Sequence, residues 1–249
     1  MSDLWRVAPE ASQRFAAKAL DYDRFRPRYP QQVFDDIVTI ADLSVGDEAI
    51  EVGAGTGIAT EPLADRGLRV TAIEPAPELA AMAEVKLAGR GEIVVGRFED
   101  YSVRRSVELV SSFNAWHWIE PTVAADRVAQ LIKPNGYLAL IWTEVVSWGQ
   151  GVFEDRLADV FCSPWEKRLD HVDASMQPVR DDDRFDEFHV RHHPFARNLD
   201  AQTFIAVTKT YGGNRTDQQY LAIERVINTE FQGEVEKVED AVLYIARRR

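Results

Sequence analysis

The chain has 249 residues, of which 45% are hydrophobic and 28% are charged, which is ordinary for a globular protein with a buried core. Its net charge is −12, so it lacks the fold-wide basic surface that nucleic-acid binding needs. The beginning of the chain has no apolar segment typical of a signal peptide, and no apolar run is long enough to span a bilayer. We therefore expect a cytoplasmic location, with neither a membrane nor a nucleic acid as a partner.

Cysteine and histidine, which are common ligands of zinc and other transition metals, are few in this chain. Cys162 is the single cysteine, so it cannot form an intrachain disulfide. The five histidines show no spacing typical of a metal site, and the neighbours His192 and His193 would point to opposite faces of a strand. We expect no metal.

The N-terminal part of the chain precedes the first strand. Residues 11–20 are predicted to form a short helix, and residues 31–43 a longer one with an apolar stripe. Between them, Tyr22–Pro30 contains two prolines, which favour an extended loop. Two interpretations stay open for this loop. It is either a solvated connector or a cap over a ligand, in which Tyr22 or Arg26 faces a carboxylate.

A glycine-rich stretch follows the first predicted strand. Glu51 and Val52 end that strand, Gly53-Ala54-Gly55-Thr56-Gly57 follows, and a helix pattern begins at Ile58. Alternate glycines allow positive φ angles and let a ligand lie against bare main chain. The helix directs its N-terminal N–H groups towards that ligand. Ile58 occupies the third glycine position of the dinucleotide fingerprint, which argues against NAD.

The next two strands also end in side chains suited to a nucleoside. Glu74 ends the second strand, about 20 residues past the first glycine, where an acid can accept hydrogen bonds from both ribose hydroxyls. Phe98 and Glu99 follow the third strand, where an adenine ring could stack and be hydrogen-bonded.

The fourth predicted strand, 107–113, runs into Asn114–Ile119, and a turn at 133–136 precedes the fifth strand, 137–142. Five strands alternating with helices predict a doubly wound, parallel α/β sheet. Ligands bind at the carboxyl ends of such strands, and all the residues named above lie at those ends. The sequence therefore predicts one site.

The last third of the chain is less regular. Residues 144–183 lack periodicity and contain scattered aromatic residues, including Trp148, which suggests a lid or substrate insertion after the fifth strand. A sixth strand is predicted at 185–195, helices at 200–211 and 218–231, and a seventh strand at 241–246. No linker or repeat is visible, so we expect a single domain over residues 1–249.

Several segments resemble one family. The E-x-G-x-G-x-G pattern of residues 51–57 resembles the first motif of class I S-adenosylmethionine (AdoMet)-dependent methyltransferases. Y-x-x-x-R-P-x-Y-P at 22–30, A-W-H-W at 115–118 and K-P-N-G-Y-L-A-L at 133–140 are similar to segments of its small-molecule branch. The resemblance implies a Rossmann-like, seven-stranded sheet with an antiparallel last strand. It also implies methyl transfer to a small-molecule acceptor, S-adenosylhomocysteine as product, and a monomer or homodimer.

The same resemblance implies roles for individual residues. The methionine part of AdoMet would be held by the glycine loop and its preceding acid, the ribose by Glu74, the adenine by Phe98 and Glu99, and the amino group by the Asn114 carbonyl. Tyr22 and Arg26 would cap the cofactor. The predicted members of the loop are Glu51, Gly53, Ala54, Gly55 and Gly57. The predicted acceptor wall consists of Trp116, Trp118 and Trp148.

His117 and the function itself each leave alternatives open. His117 would be a general base, or it would hold the loop by hydrogen bonding, or it would orient the acceptor. An NAD-dependent oxidoreductase and a non-catalytic AdoMet-binding protein remain rival functions, because one fold serves many functions.

Overall fold

The computed structural model describes residues 19–102, 105–148, 151–161, 170–210 and 215–249. A seven-stranded sheet forms its centre. Its strand order is β3-β2-β1-β4-β5-β7-β6. β1 to β5 run parallel, and β7 is antiparallel to both β5 and β6. The strands are β1 Glu48–Val52, β2 Arg69–Glu74, β3 Gly91–Val95, β4 Val107–Phe113, β5 Ile132–Trp148, β6 Phe185–Asp200 and β7 Glu234–Arg248. This confirms the predicted seven-stranded sheet and its antiparallel last strand.

Helices cover both faces of the sheet. The helices are α1 Ala19–Phe25, α2 Gln31–Ile40, α3 Thr60–Asp65, α4 Pro77–Leu87, α5 Pro121–Leu131, α6 Val152–Phe161, α7 Asp170–Arg180, α8 Ala201–Thr210 and α9 Asp217–Glu230. The apolar side chains of α2, α3 and α4 pack on one face, and those of α5 and α7 on the other. Because both faces are covered, every residue of β1 is buried, including the acids Glu48 and Glu51.

Three helices form a separate layer over the far ends of the longest strands. Side chains of α6, α8 and α9 surround Trp148, Leu199 and Val235, which lie on the extensions of β5, β6 and β7. We call these three helices the cap. They lie beyond the carboxyl end of the parallel strands, so the cap is placed beside any ligand bound there.

The structure corrects some predictions. The segment 22–30 is helical as far as Phe25 and extended only from Arg26, because Pro27 restricts the residue directly before it and no earlier one. Residues 133–136 lie inside β5, whose first residue, Ile132, already pairs with Val107 of β4, and pairing with β7 extends the strand at its other end as far as Trp148.

The described parts of the segment 144–183 form regular elements, and its role as a lid or substrate insertion stays a prediction. Its first part extends β5, α6 belongs to the cap, and α7 packs against the core beside α5. Residues 11–18 of the helix predicted at 11–20 lie outside the described residues, and its last two residues begin α1. Within the described ranges, no helix is both long and apolar enough to cross a bilayer.

Candidate functional site

A cleft opens where the sheet order changes direction, between the carboxyl ends of β1 and β4. Ligands of doubly wound sheets bind at such a switch point. The glycine loop, the ends of β4 and β5, the segment after α1 and one residue of β7 line the cleft. These lining residues are Arg26, Pro27, Tyr29, Glu51, Gly53, Ala54, Gly55, Thr56, Ile58, Ala59, Phe113, Asn114, Thr143 and Glu239.

The three loop glycines have different reasons to be glycine. All three have positive φ angles, of 74°, 58° and 81° for Gly53, Gly55 and Gly57. A Cβ at Gly53 would lie 2.3 Å from the Cβ of Ala115, and one at Gly57 would lie 3.0 Å from the Cα of Ala83. A Cβ at Gly55 would meet no protein atom within 4 Å. Gly55 therefore leaves its space to the cleft, whereas the other two make room for the protein itself.

Glu74 holds the glycine loop in place through hydrogen bonds from main-chain N–H groups. One carboxylate oxygen accepts a hydrogen bond from Gly55 N at 2.8 Å, and the other accepts one from Ala76 N at 2.9 Å. Burial raises the pKa of Glu74, although these two N–H groups act in the opposite direction. Each carboxylate oxygen can accept a further hydrogen bond, so Glu74 can hold the loop and a ligand hydroxyl together.

Glu51 is a second buried acid at the floor of the cleft. Its side chain is 1% exposed, and its Oε2 atom has no hydrogen-bond partner among the described residues. Burial raises the pKa of Glu51 to about 8, opposed by the hydroxyl of Thr60 and reinforced by the charge of Glu74. A cationic ligand group in the cleft would supply the missing partner.

The segment after β4 and the N-terminal segment close the cleft from two sides. Asn114 has a φ of 53°, and its side-chain amide donates to the hydroxyl of Tyr29 at 2.8 Å and accepts from Thr143 N at 2.8 Å. Arg26 donates to the main-chain carbonyl of Thr210, at the end of α8, at 3.4 Å. The extended segment therefore joins the sheet to the cap.

Asp23 anchors α1 to the glycine loop. It accepts a hydrogen bond from the hydroxyl of Thr56 at 2.7 Å and pairs with Lys86 of α4 and with Arg28. Burial alone would raise the pKa of Asp23, but the bonds from Lys86, Thr56 and Arg28 outweigh it and lower that pKa. The side chain of Tyr22, the predicted alternative to Arg26 for facing a ligand carboxylate, lies outside the described residues.

A charge cluster lies behind the cleft wall on the β7 side. Glu239 lines the cleft and is 1% exposed, and Lys237, two residues earlier, is 0% exposed. Arg197 of β6 donates to one oxygen of Glu239 at 2.8 Å and 3.1 Å, and the ammonium of Lys237 pairs with the other oxygen. Lys237 also lies 4.9 Å from the centre of the Trp148 ring. We call Arg197, Lys237 and Glu239 the charge cluster.

The predicted aromatic wall is not brought together on the cleft. Trp116 is 2% exposed and packs against Phe98 in the core, with ring centres 5.9 Å apart. Trp148 is buried beneath the cap, 5.0 Å from the ring of Phe204. Trp118 lies beside His117, at 4.9 Å between ring centres. The predicted roles of the three tryptophans towards an acceptor stay predictions.

His117 accepts a hydrogen bond from a residue of β5. The indole N–H of Trp142 donates to its Nδ1 atom at 3.2 Å. Because an indole N–H only donates, the neutral imidazole carries its proton on Nε2. In this form neither nitrogen offers a free lone pair, which favours a holding role over a base. The base role is an untested prediction.

Phe98 and Glu99 are also absent from the lining of the cleft. Phe98 is 3% exposed within the core, and Glu99 pairs with Arg97 at 2.7 Å. Their predicted contact with adenine therefore stays a prediction. Across the described ranges, no group of three or more histidine, cysteine and acidic side chains could hold a metal ion.

Several lining or anchoring residues are missing from the sequence predictions: Asp23, Tyr29, Thr56, Thr143 and Glu239. Tyr29 is part of the quoted Y-x-x-x-R-P-x-Y-P pattern, and Asp23 is an acid within a basic stretch, so the sequence could have indicated both as candidate site residues. Thr143 and Glu239 face the cleft because of the register between β5 and β7, and no local pattern indicates it.

Comparison with known proteins agrees with this geometry. Residues 50–140 match the family described as a methyltransferase domain. An uncharacterized methyltransferase of Mycobacterium tuberculosis, Rv3342, is 34% identical over 134 residues, which are 53% of each chain. An uncharacterized methyltransferase-like protein of Schizosaccharomyces pombe, C25B8.10, is 28% identical over 142 residues, 54% of each chain. The chain thus spans about half the length of the curated relatives it matches.

Solved structures share the fold. A protein assigned as a type II methyltransferase of Anaeromyxobacter dehalogenans superposes with a TM-score of 0.65 at 20% identity, over 90% of this chain and 98% of that one. A phosphoethanolamine N-methyltransferase of Haemonchus contortus, in complex with phosphomonomethylethanolamine and S-adenosylhomocysteine, superposes with a TM-score of 0.55 at 14% identity. That match covers 96% of this chain and 58% of the other. The sheet order and the glycine loop agree with these matches: residues 50–140 match a methyltransferase domain, and the chain shares the fold of these solved structures.

Proposed function

We propose that this protein transfers the methyl group of AdoMet to a small-molecule acceptor by in-line displacement. The observation that carries the proposal is the position of Gly55. Its bare main chain faces the cleft at the switch point, and its N–H is held by Glu74, which has further accepting capacity. A cofactor with a ribose and a polar end fits this arrangement.

The residues of the cleft suit AdoMet at both ends. Glu51, buried and lacking a partner at Oε2 among the described residues, would face the ammonium of the methionine part. The main chain of the glycine loop would lie along the methionine part, at Gly53, Ala54, Gly55 and Gly57. Glu74 would accept hydrogen bonds from the ribose hydroxyls. Five further predicted contacts belong to the same proposal. Phe98 and Glu99 would contact the adenine, the Asn114 carbonyl would accept from the amino group, and Tyr22 and Arg26 would cover the cofactor.

The chemistry asks the protein chiefly for position. The sulfonium of AdoMet supplies a methyl group already activated for displacement. Asn114, tied to Tyr29 and Thr143, fixes the distance between the ends of β4 and β5, where the acceptor would enter. Arg26 links the extended segment beside the cleft to the cap. The cap would exclude water from the reacting atoms.

Replacement of the open glycine tests the cofactor site. Gly55→Val would put a branched side chain into the space reserved for the ligand, so we expect AdoMet affinity to fall at least about tenfold, or ~1.4 kcal/mol. Calorimetric titration with AdoMet and with S-adenosylhomocysteine measures this change.

Gly89→Val is the matched control. Gly89 also has a positive φ, of 81°, and also lacks protein atoms within 4 Å of an added Cβ, but it lies after α4, away from the cleft. Both variants strain the backbone, so both should lose some stability. Equal AdoMet affinities in the two folded variants would contradict the placement of the ligand against Gly55.

The hydrogen bond from Trp142 gives a prediction for His117. We expect His117→Asn to keep methyl-transfer rates within a few-fold of the unmodified protein, because a held imidazole is not a proton acceptor. Single-turnover rates from pH 5.5 to 8.5, measured once an acceptor is known, check this. A loss of about 10²-fold together with loss of a titration near the histidine pKa would establish the base role instead.

Two rival functions are separated by simple measurements. An NAD-dependent oxidoreductase would bind NAD in competition with S-adenosylhomocysteine, and we expect no such competition. A non-catalytic AdoMet-binding protein would bind the cofactor but never turn it over with any metabolite fraction. A small-molecule acceptor, a monomeric or homodimeric state and a cytoplasmic location are parts of the proposal, and the last two are checked by sedimentation and by cell fractionation.

A further inference from the structure

Arg197 occupies an unusual position beside the cleft. It extends from β6 to Glu239, which lines the cleft, through Nε and one Nη atom. These bonds use two of the five donors of a guanidinium group. Its side chain is 24% exposed and it contacts Glu239, which lines the cleft, so part of this side chain is open to solvent next to the cleft wall.

Glu239 orients the guanidinium group of Arg197, and Lys237 pairs with the same carboxylate. The carboxylate of Glu239 accepts both donors at the same oxygen, which fixes the plane of the guanidinium. Lys237 pairs with the other oxygen and contacts the face of Trp148. The charge of Glu239 is thereby shared between two cations, and the cluster as a whole is positive.

A further cation lies close by. Burial lowers the pKa of Lys237 most strongly. Glu239 raises this pKa, whereas the charges of Arg197 and Arg26 lower it, and the pKa is about 8. Two guanidinium groups and one carboxylate are therefore the charges that act most strongly on this buried ammonium. AdoMet would add a net positive charge, which the ionised Glu51 facing its ammonium would offset, so the positive excess would stay with Lys237 and the two guanidinium groups. An anion would relieve this excess of positive charge.

We propose, resting on the proposed methyltransferase function, that the acceptor is a small carboxylic acid whose carboxylate is bound by the free edge of Arg197. The planar fork of arginine matches a carboxylate through two parallel hydrogen bonds, which a lysine cannot provide. Glu239 acts as a positioning residue that orients Arg197, and Lys237 keeps that orientation by holding the second oxygen of Glu239.

The test uses simple probes on the protein saturated with S-adenosylhomocysteine. Glutarate and benzoate are the carboxylate probes, glutaramide and benzamide are their neutral counterparts, and inorganic phosphate is a second anion. Thermal shift and calorimetric titration measure binding. We expect glutarate or benzoate to stabilise the protein, and neither the amides nor phosphate to do so.

Three variants locate the effect. Arg197→Met should weaken carboxylate binding at least about tenfold, and Arg197→Lys, which keeps a charge beside Glu239 and protects the fold, should weaken it to an intermediate degree. Arg191→Met is the control, since Arg191 lies on the same strand but is exposed and donates only to the Val190 carbonyl. It should bind the probes like the unmodified protein.

The outcomes separate the two proposals. Failure to bind S-adenosylhomocysteine, with a carboxylate shift that depends on Arg197, would sink the methyltransferase function but not the anion site. Normal binding of S-adenosylhomocysteine without any carboxylate shift would overturn the carboxylate proposal alone. Equal shifts with amides, equal or larger shifts with phosphate, or unchanged binding in Arg197→Met would also overturn it.

Discussion

Glu74→Ala is expected to lower the affinity for AdoMet by on the order of 10²-fold, about 2.7 kcal/mol. The variant removes the carboxylate that would accept from the ribose, and hydrogen bonds to a charged group contribute about 1.5–3 kcal/mol each. It also frees Gly55 N and Ala76 N, which both donate to Glu74. The glycine loop should therefore become less ordered, and calorimetry and hydrogen exchange at residues 53–57 measure the two effects.

A ligand without ribose hydroxyls separates the two contributions of Glu74. If the acid binds the ribose, the 2′,3′-dideoxy form of S-adenosylhomocysteine should bind the unmodified protein weakly, and Glu74→Ala should change its affinity much less. Glu78→Ala is the control, because Glu78 is an exposed acid in the first turn of α4, four residues further along. Equal binding of the parent and dideoxy ligands by the unmodified protein would leave Glu74 with a purely structural role.

The parts of the site that could be predicted from sequence are local ones. Gly55, Glu74 and Asn114 each follow directly from a strand end, and the topology of parallel strands brings such ends together without any knowledge of side-chain packing. The seven strands and the antiparallel last strand agree with what the resemblance implies.

The parts that could not be predicted depend on contacts between distant segments. Glu239 and Thr143 face the cleft only because β5 and β7 pair in one register over most of their length. Arg197 reaches Glu239 because β6 is long enough to extend beyond the core, where the sequence pattern predicted its end at residue 195. The cap that covers Trp148 combines α6 with α8 and α9, which follow about 40 residues or more later in the chain, so its burial could not be predicted from a local pattern.

Glu51→Gln should affect stability and cofactor binding in opposite directions. In the folded protein without ligand, burial raises the pKa of Glu51 from 4.5 to about 8. Between these pH values the folded protein binds a proton at this site that the unfolded chain has lost, so stability falls as pH rises through the window. A shift of this size corresponds to a few kcal/mol. A neutral glutamine avoids that loss.

The stability advantage of Glu51→Gln should therefore be small near pH 5, grow with pH and level off above about 8. Melting temperatures of both proteins over this range measure it, and Glu78→Gln, which changes an exposed acid, should parallel the unmodified protein. The other titrating groups are common to all three proteins, so they cancel in the comparison. Parallel curves for Glu51→Gln and the unmodified protein would mean that Glu51 is already ionised when folded.

Cofactor binding should show the cost of the same substitution. Near pH 7 the protonated Glu51 would have to release its proton when the ammonium of AdoMet arrives, because the ion pair favours the carboxylate. The enthalpy of binding should then depend on the ionisation enthalpy of the buffer, and this dependence should disappear in Glu51→Gln, with affinity lower by about tenfold. Binding of equal strength without proton release in either protein would place the ammonium elsewhere in the cleft. A buried acid that destabilises the empty protein and is satisfied only by its ligand is the arrangement expected of a binding residue rather than a structural one.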